Sequence, residues 1–167
     1  PLLKPIPKIL KQKGLFFKTA DGNSIAKNLY EDIEHWNKLR KGESVPEVQE
    51  QRVLEKVKGK PNYSLEWYDA FTNVASAKID YLRTMISNGE KINKEPRITV
   101  STIHGAKGGE AANVVLFLNQ TTNTMKASKK SVYKQDEEYR VWYVGVTRTI
   151  QNLYLVKCNN KRKEFII

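Results

Sequence analysis

Between Ile98 and Phe117 the chain reads ITVSTIHGAKGGEAANVVLF. An apolar run from Ile98 to Ile103 enters a turn broken by Gly105, Gly108 and Gly109, which holds Thr102, His104, Lys107 and Glu110. A second β-branched run, Val114 to Leu118, follows. Short apolar runs bounded by turn signals read as buried strands. Glycines give the turn between them the freedom to bring backbone N–H groups close to an anion. The block Tyr139 to Leu155, YRVWYVGVTRTIQNLYL, reads as an amphipathic segment ending at Thr147-Arg148 and then a last strand, Leu153 to Val156. An arginine fixed at the end of a packed segment offers phosphate a planar, always charged set of donors.

Upstream, Pro5 and Pro7 suit the first turn of a helix. Ile6, Ile9 and Leu10 give that helix an apolar face, and Gly14 is its stop. Leu15-Phe16-Phe17 reads as a short strand, and Asp21-Gly22-Asn23-Ser24 as a turn that also offers an N-cap. Ile25, Leu29, Ile33, Trp36 and Leu39 recur at helical spacing, with Trp36 read as core. Lys41 to Asn62 is rich in Gly, Pro and charge and reads as a loop with a short helix over Val48 to Val57. Ser64 is the expected cap of a helix carrying Trp67, Phe71, Val74, Lys78 and Tyr81-Leu82, ended by Asn88-Gly89. Lys91 to Pro96 is a polar connector. Asn119 to Gln135 reads as a polar loop with Lys126, Lys129, Lys130 and Lys134, solvated or within reach of a polyanion. Asp136 is the expected cap of a helix running to about Thr147, and Lys161-Arg162-Lys163 an exposed charge run. Strands separated by helices imply an α/β layer with a mostly parallel sheet.

The 29 basic and 18 acidic side chains leave a net charge of +11, which favours polyanions through phosphate contacts and counterion release. The single cysteine, Cys158, excludes an internal disulfide and fits a reducing cytoplasm. With two histidines and one cysteine a zinc site is not expected. No apolar run approaches the ~20 residues of a membrane span, and no leader pattern opens the sequence.

Thr102-Ile103-His104-Gly105-Ala106-Lys107-Gly108-Gly109-Glu110-Ala111, with Val114 following, resembles motif V of the UvrD/Rep/PcrA-type superfamily 1 DNA helicases, T-x-H-x-A-K-G-L-E-F-x-x-V. Glu137 to Thr149, EEYRVWYVGVTRT, resembles motif VI of the same family, E-E-R-R-L-x-Y-V-x-x-T-R-A. The resemblance covers residues 98–157 closely and the first ninety or so loosely. It implies the second RecA-like motor domain: a three-layer α/β fold of the P-loop NTPase type that lacks a P-loop of its own. Residues 1–40 would open that domain, 41–97 would be a reduced helical insertion or connector, and 98–167 would carry motifs V and VI. It implies that Thr102 and His104 contact single-stranded DNA, Gly108 lines the nucleotide cleft and Glu110 accepts from a ribose hydroxyl. Arg148 would be the arginine finger of ATP hydrolysis, aimed by Val141, Tyr143 and Val144. Lys107 would be mainly structural, and Arg140 and Glu137 would form local pairs. Gly109 in place of the usual Leu, and Ala111 in place of the usual aromatic, reduce the bulk under the turn.

No G-x-x-x-x-G-K-[ST] stands in the sequence, and Asp136-Glu137-Glu138 follows a polar stretch rather than the buried strand a Mg²⁺-binding D-E-x-x box requires. ATP and Mg²⁺ are therefore expected to be bound mainly by an N-terminal motor domain of the same protein, and this chain alone is expected to be inactive. Single-stranded DNA and that domain are the implied partners, with no membrane. The implied activity is that of an ATP-dependent DNA helicase or translocase of compact type, travelling 3′→5′. A RecD/Dda-type 5′→3′ helicase domain, which more often has Gln-Gly at Lys107-Gly108, is an alternative. So is a stand-alone nucleic-acid-binding module with a degenerate motor fold.

Overall fold

The computed structural model describes residues 5–157 and 164–166. Cys158 and the run Lys161-Arg162-Lys163 lie outside the described residues. The chain divides into two compact units, Pro5–Val100 and the part from Ser101 onward.

In the first unit, helix α1 (Pro5–Gln12) ends as its sequence predicts. Gly14 takes φ +60° and donates to the Lys11 carbonyl, and Leu15 N–H reaches back to Leu10, which together close a Schellman cap. Its apolar face is only partly used, since Ile9 stays half exposed. Strand β1 (Phe17–Thr19) pairs antiparallel with β2 (Gly22–Asn23) and parallel with β3 (Ile98–Thr99). Ladder pairing thus starts two residues after Leu15, although Phe16 and Phe17 are both buried.

Helix α2 (Lys27–Arg40) begins after Ala26, so Ser24 does not cap it. The Ser24 hydroxyl instead accepts from Phe17 N–H at 3.3 Å and pairs with the Tyr81 hydroxyl at 2.7 Å. The predicted apolar face holds. Ile25, Leu29, Ile33 and Trp36 are buried, and Leu39 packs at the margin. Trp36 is core, its Nε1 donating to Leu65 O at 3.1 Å. Asp32, on the same helix, is fully buried and accepts from Arg52 Nε of helix α3 (Glu47–Leu54). That helix nearly coincides with the short one expected in the Lys41–Asn62 stretch.

The helix expected across Trp67 to Leu82 is two helices, α4 (Trp67–Ala70) and α5 (Ser76–Ser87). Phe71, buried at ψ 61°, leaves the helical region and breaks the run. Glu66, not Ser64, precedes α4, and Ser64 N–H closes a small turn on Asn62 Oδ1. Asn88-Gly89 ends α5 as expected, with Gly89 at φ +69° and Glu90 N–H returning to Met85 O.

In the second unit a single turn of 3₁₀ helix, His104–Ala106, leads to β4 (Ala111–Phe117). Helices α6 (Thr122–Lys130) and α7 (Val132–Val146) cross over to β5 (Thr149–Val156). β4 and β5 run parallel, in register from Val114–Leu153 to Phe117–Val156. The cluster Leu116, Leu118, Trp142 and Phe165 forms this unit's core, with Ile103, Val146 and Leu153 at its edge. The described residues are therefore mixed α/β with parallel strand pairs, the class the sequence implies.

Four expectations fail here. The motif strand is short, with ladder pairing only at Ile98–Thr99. Asn119 to Gln135 is mostly α6, because Thr121 supplies a cap by accepting Thr124 N–H at 3.1 Å and Met, Lys and Ala propagate it. Asp136 lies inside α7, which starts four residues earlier, after Ser131. The Val114–Leu118 strand is not buried throughout. With β5 as its one partner among the described residues, β4 buries Leu116 while Val115 and Phe117 stay exposed. No helix among the described residues is long and apolar enough to cross a membrane.

Candidate functional site

Local bonding shapes the glycine turn. Thr102 Oγ1 accepts from Gly105 N–H at 3.1 Å, and Ala106 N–H donates to Thr102 O at 3.0 Å. Gly109 N–H returns to Ala106 O at 3.0 Å, with Gly108 at φ +82° between them. Only a glycine takes that angle without strain. The turn leaves Thr102, His104, Gly108 and Glu110 exposed, while Ile103 tucks inward against Gly145 of α7. A Cβ on Gly145 would stand 3.2 Å from Ile103 Cδ1, so the absent side chain admits the isoleucine.

Helix α7 then stops at Thr147, and Arg148 folds back over its end. Arg148 Nε donates to Val144 O at 3.0 Å, Nη2 to Thr147 Oγ1 at 3.2 Å and Nη1 to Gly109 O at 3.3 Å. The Arg148 carbonyl accepts from Ala111 N–H at 2.9 Å. Since Ala111 pairs with Thr149, Glu110 and Arg148 emerge at the same end of β4 and β5. The two sequence blocks are thus one constellation, in which a carboxylate and a guanidinium flank a turn with exposed backbone. That donor and acceptor set fits contacts to phosphate and to a ribose hydroxyl. It does not form a metal cradle, and no group of three His, Cys, Asp or Glu among the described residues is placed to hold an ion.

A cleft of about 500 Å³ adjoins the turn, lined by His104, Thr124 and Ala127 of α6, and Lys134, Glu137 and Arg140 of α7. Lys134 Nζ donates to Glu137 at 2.6 Å. That bond holds the Glu137 carboxyl below its ordinary pKa and raises the Lys134 ammonium. Glu137 therefore forms a local pair with Lys134, and the Arg140 charge adds to the lowering of its carboxyl. Of the residues expected to aim Arg148, Val144 does so through its carbonyl, and Val141 and Val144 are half-buried. Tyr143 is 71% exposed and packs little.

Sequence reasoning missed the brace under α7. Trp142 stacks on Phe165 at 4.7 Å between centroids and donates Nε1–H to Glu138 at 3.0 Å. Glu138 also accepts from buried Gln120 at 3.3 Å. The four-residue spacing of Glu138 and Trp142 was the available signal.

The family model of the UvrD-like helicase C-terminal domain matches residues 11–160. The ATP-dependent DNA helicase srs2 of Schizosaccharomyces pombe is 29% identical over 121 residues, 70% of this chain. The match spans 13% of that protein's length. No solved structure matches.

Proposed function

We propose that this chain, which belongs to the UvrD-like helicase C-terminal domain family, is the second RecA-like half of an ATP-dependent DNA helicase or translocase motor. Residues 1–40 open that domain, 41–97 form a reduced helical insertion, and 98–167 carry its working motifs, within a three-layer arrangement. Arg148 is the arginine finger and reaches a triphosphate held by an N-terminal motor domain. Its planar fork stabilises charge spreading over the transferring phosphoryl group. Glu110 accepts from the ribose, and Gly108 gives the nucleotide close access to the backbone. Thr102 and His104 meet single-stranded DNA on the exposed side of the same turn. ATP supplies the phosphoryl group, and Mg²⁺ is held by carboxylates of the other domain.

The observation that supports this reading is the hydrogen bond from Arg148 Nη1 to Gly109 O at 3.3 Å, which joins the end of α7 to the glycine turn. The test is reconstitution. The purified 167-residue chain neither hydrolyses ATP nor unwinds DNA. Joined to its P-loop domain, it supports DNA-stimulated turnover that falls when Arg148 is replaced. P-loop-like turnover by the isolated chain would overturn the proposal.

A further inference from the structure

Arg148 is held by three neutral oxygens, Val144 O, Thr147 Oγ1 and Gly109 O. Among the described residues no carboxylate lies within ion-pair distance of it. The guanidinium is thus oriented without being neutralised, which suits a group that is to meet an anion. Two of its acceptors are main-chain carbonyls, which any side chains at those positions would leave in place. Thr147 Oγ1 is the one side chain of the set, half-buried at the C-cap of α7. Its hydroxyl directs its single proton to Val144 O at 3.1 Å, so toward Arg148 it acts as an acceptor. Val144 O is among the last four carbonyls of α7 and accepts from both the Thr147 hydroxyl and Arg148 Nε. Val144 O, Thr147 Oγ1 and the guanidinium therefore close a ring of hydrogen bonds that grips Nε and Nη2. The β-branch of Thr147 restricts χ1 and holds the hydroxyl in that place.

We propose that Thr147 is a positioning residue of the motor. Its hydroxyl sets the rotation of the Arg148 fork, so that the N–H groups left free on Nη1 and Nη2 leave the end of α7 in a fixed direction for phosphate. This rests on the reading of Arg148 as the finger. Thr147 acts through Arg148 and not by contact with nucleotide or DNA. Without the hydroxyl the fork keeps two carbonyl anchors and tilts about them.

The test is steady-state ATP turnover of the intact polypeptide at saturating single-stranded DNA. Thr147→Val keeps the shape and the β-branch and removes the hydroxyl. Thr147→Ala removes it too and replaces the valine variant if that one fails to fold. The loss of kcat is expected to be about tenfold to a hundredfold, the span of one hydrogen bond to a charged group, with KM for ATP and DNA affinity near the parent's. Thr147→Ser restores most of the loss. Placed on Arg148→Ala, Thr147→Val lowers turnover little further, because the group it orients is gone. Parental kcat in Thr147→Val, beside a collapse in Arg148→Ala, overturns the inference and leaves the finger standing. A serine variant as poor as valine, or losses that multiply in the double variant, overturns it by showing that the hydroxyl does not work through the arginine. A raised KM with kcat unchanged overturns it in favour of a binding role. Full turnover in Arg148→Ala overturns the finger and the inference together.

Discussion

Arg148 Nη1 donates to the carbonyl of Gly109 across 39 residues of sequence. The guanidinium is thereby held half-buried at the end of α7, with two further bonds to Val144 and Thr147. Those three bonds use three of the five guanidinium N–H donors and leave one on Nη1 and one on Nη2 for a phosphate. In the intact polypeptide, the proposed role of Arg148 predicts that Arg148→Ala cuts DNA-stimulated ATP turnover by ~10³ to 10⁵ while single-stranded DNA affinity stays near the parent's. Arg148→Lys keeps the charge, loses the fork and recovers little. Steady-state turnover against DNA concentration separates the two effects, and full turnover in the alanine variant would remove Arg148 from the chemistry.

Gly14→Ala is expected to be among the most damaging single-methyl changes in the first unit. The position sits at φ +60°, and the new Cβ would lie 2.5 Å from Thr84 Cγ2 and 2.8 Å from the Thr84 backbone carbon. Left-handed backbone costs a non-glycine roughly 1–2 kcal/mol, and overpacking adds roughly 1–3 kcal/mol. Gly42→Ala has a similar φ of +74° but open space, so it carries only the first cost. Urea melts of the two variants should differ by the steric part. Equal midpoints would show that Thr84 yields freely.

The contrast between those glycines marks how far sequence carries. Gly14, Gly89 and the face from Ile25 to Trp36 were legible because local chemistry and periodicity decide them. Both site blocks were legible because their residue order follows the motif patterns of the family to which the chain belongs. What escaped was set by distant partners. Ser24 resembles a cap, yet Tyr81, 57 residues away, takes its hydroxyl. Phe71 breaks a helix because its ring is needed in the core beside Trp36 and Trp67. Nothing local to α2 signals that Asp32 is buried, since its partner Arg52 comes from α3. In α6, counting polar residues hid a sequence of good helix formers behind a threonine cap.

Stability should fall at alkaline pH through Tyr81. Burial pushes its phenol above the ordinary tyrosine value, with Glu90 adding to the rise and the Ser24 hydrogen bond opposing it. The hydroxyl donates to Leu15 O at 2.7 Å. Because the folded pKa is raised, its stabilisation is complete below the unfolded value of about 10 and is lost as pH climbs through the folded one. Tyr81→Phe is expected to cost about 1–3 kcal/mol at neutral pH by leaving the Leu15 carbonyl unpartnered. The variant should also decline less steeply above pH ~10, with a residual slope from Tyr30, which burial shifts the same way. Denaturant midpoints at pH 7 and across the alkaline range test this. Parallel declines would show that Tyr81 titrates alike in both states.

Gly145 bears on whether the glycine turn keeps its shape. Its Cα admits Ile103, which stands between Thr102 and His104, and an added Cβ would meet three Ile103 carbons at 3.2 to 3.4 Å. Alanine gains about 1 kcal/mol in helix propensity, and Ile103 need give only a few tenths of an ångström, so Gly145→Ala should be near neutral. Valine adds two methyl groups in a restricted rotamer and should cost roughly 1–3 kcal/mol by displacing Ile103. If that displacement carries Thr102 and His104 with it, Gly145→Val loses single-stranded DNA affinity while far-ultraviolet circular dichroism stays that of the parent. Ile103→Ala placed in the valine background then restores part of the stability, a coupling that a double-mutant cycle reads directly. Strict additivity of the two changes would mean that the helix and the turn do not press on each other through this pair.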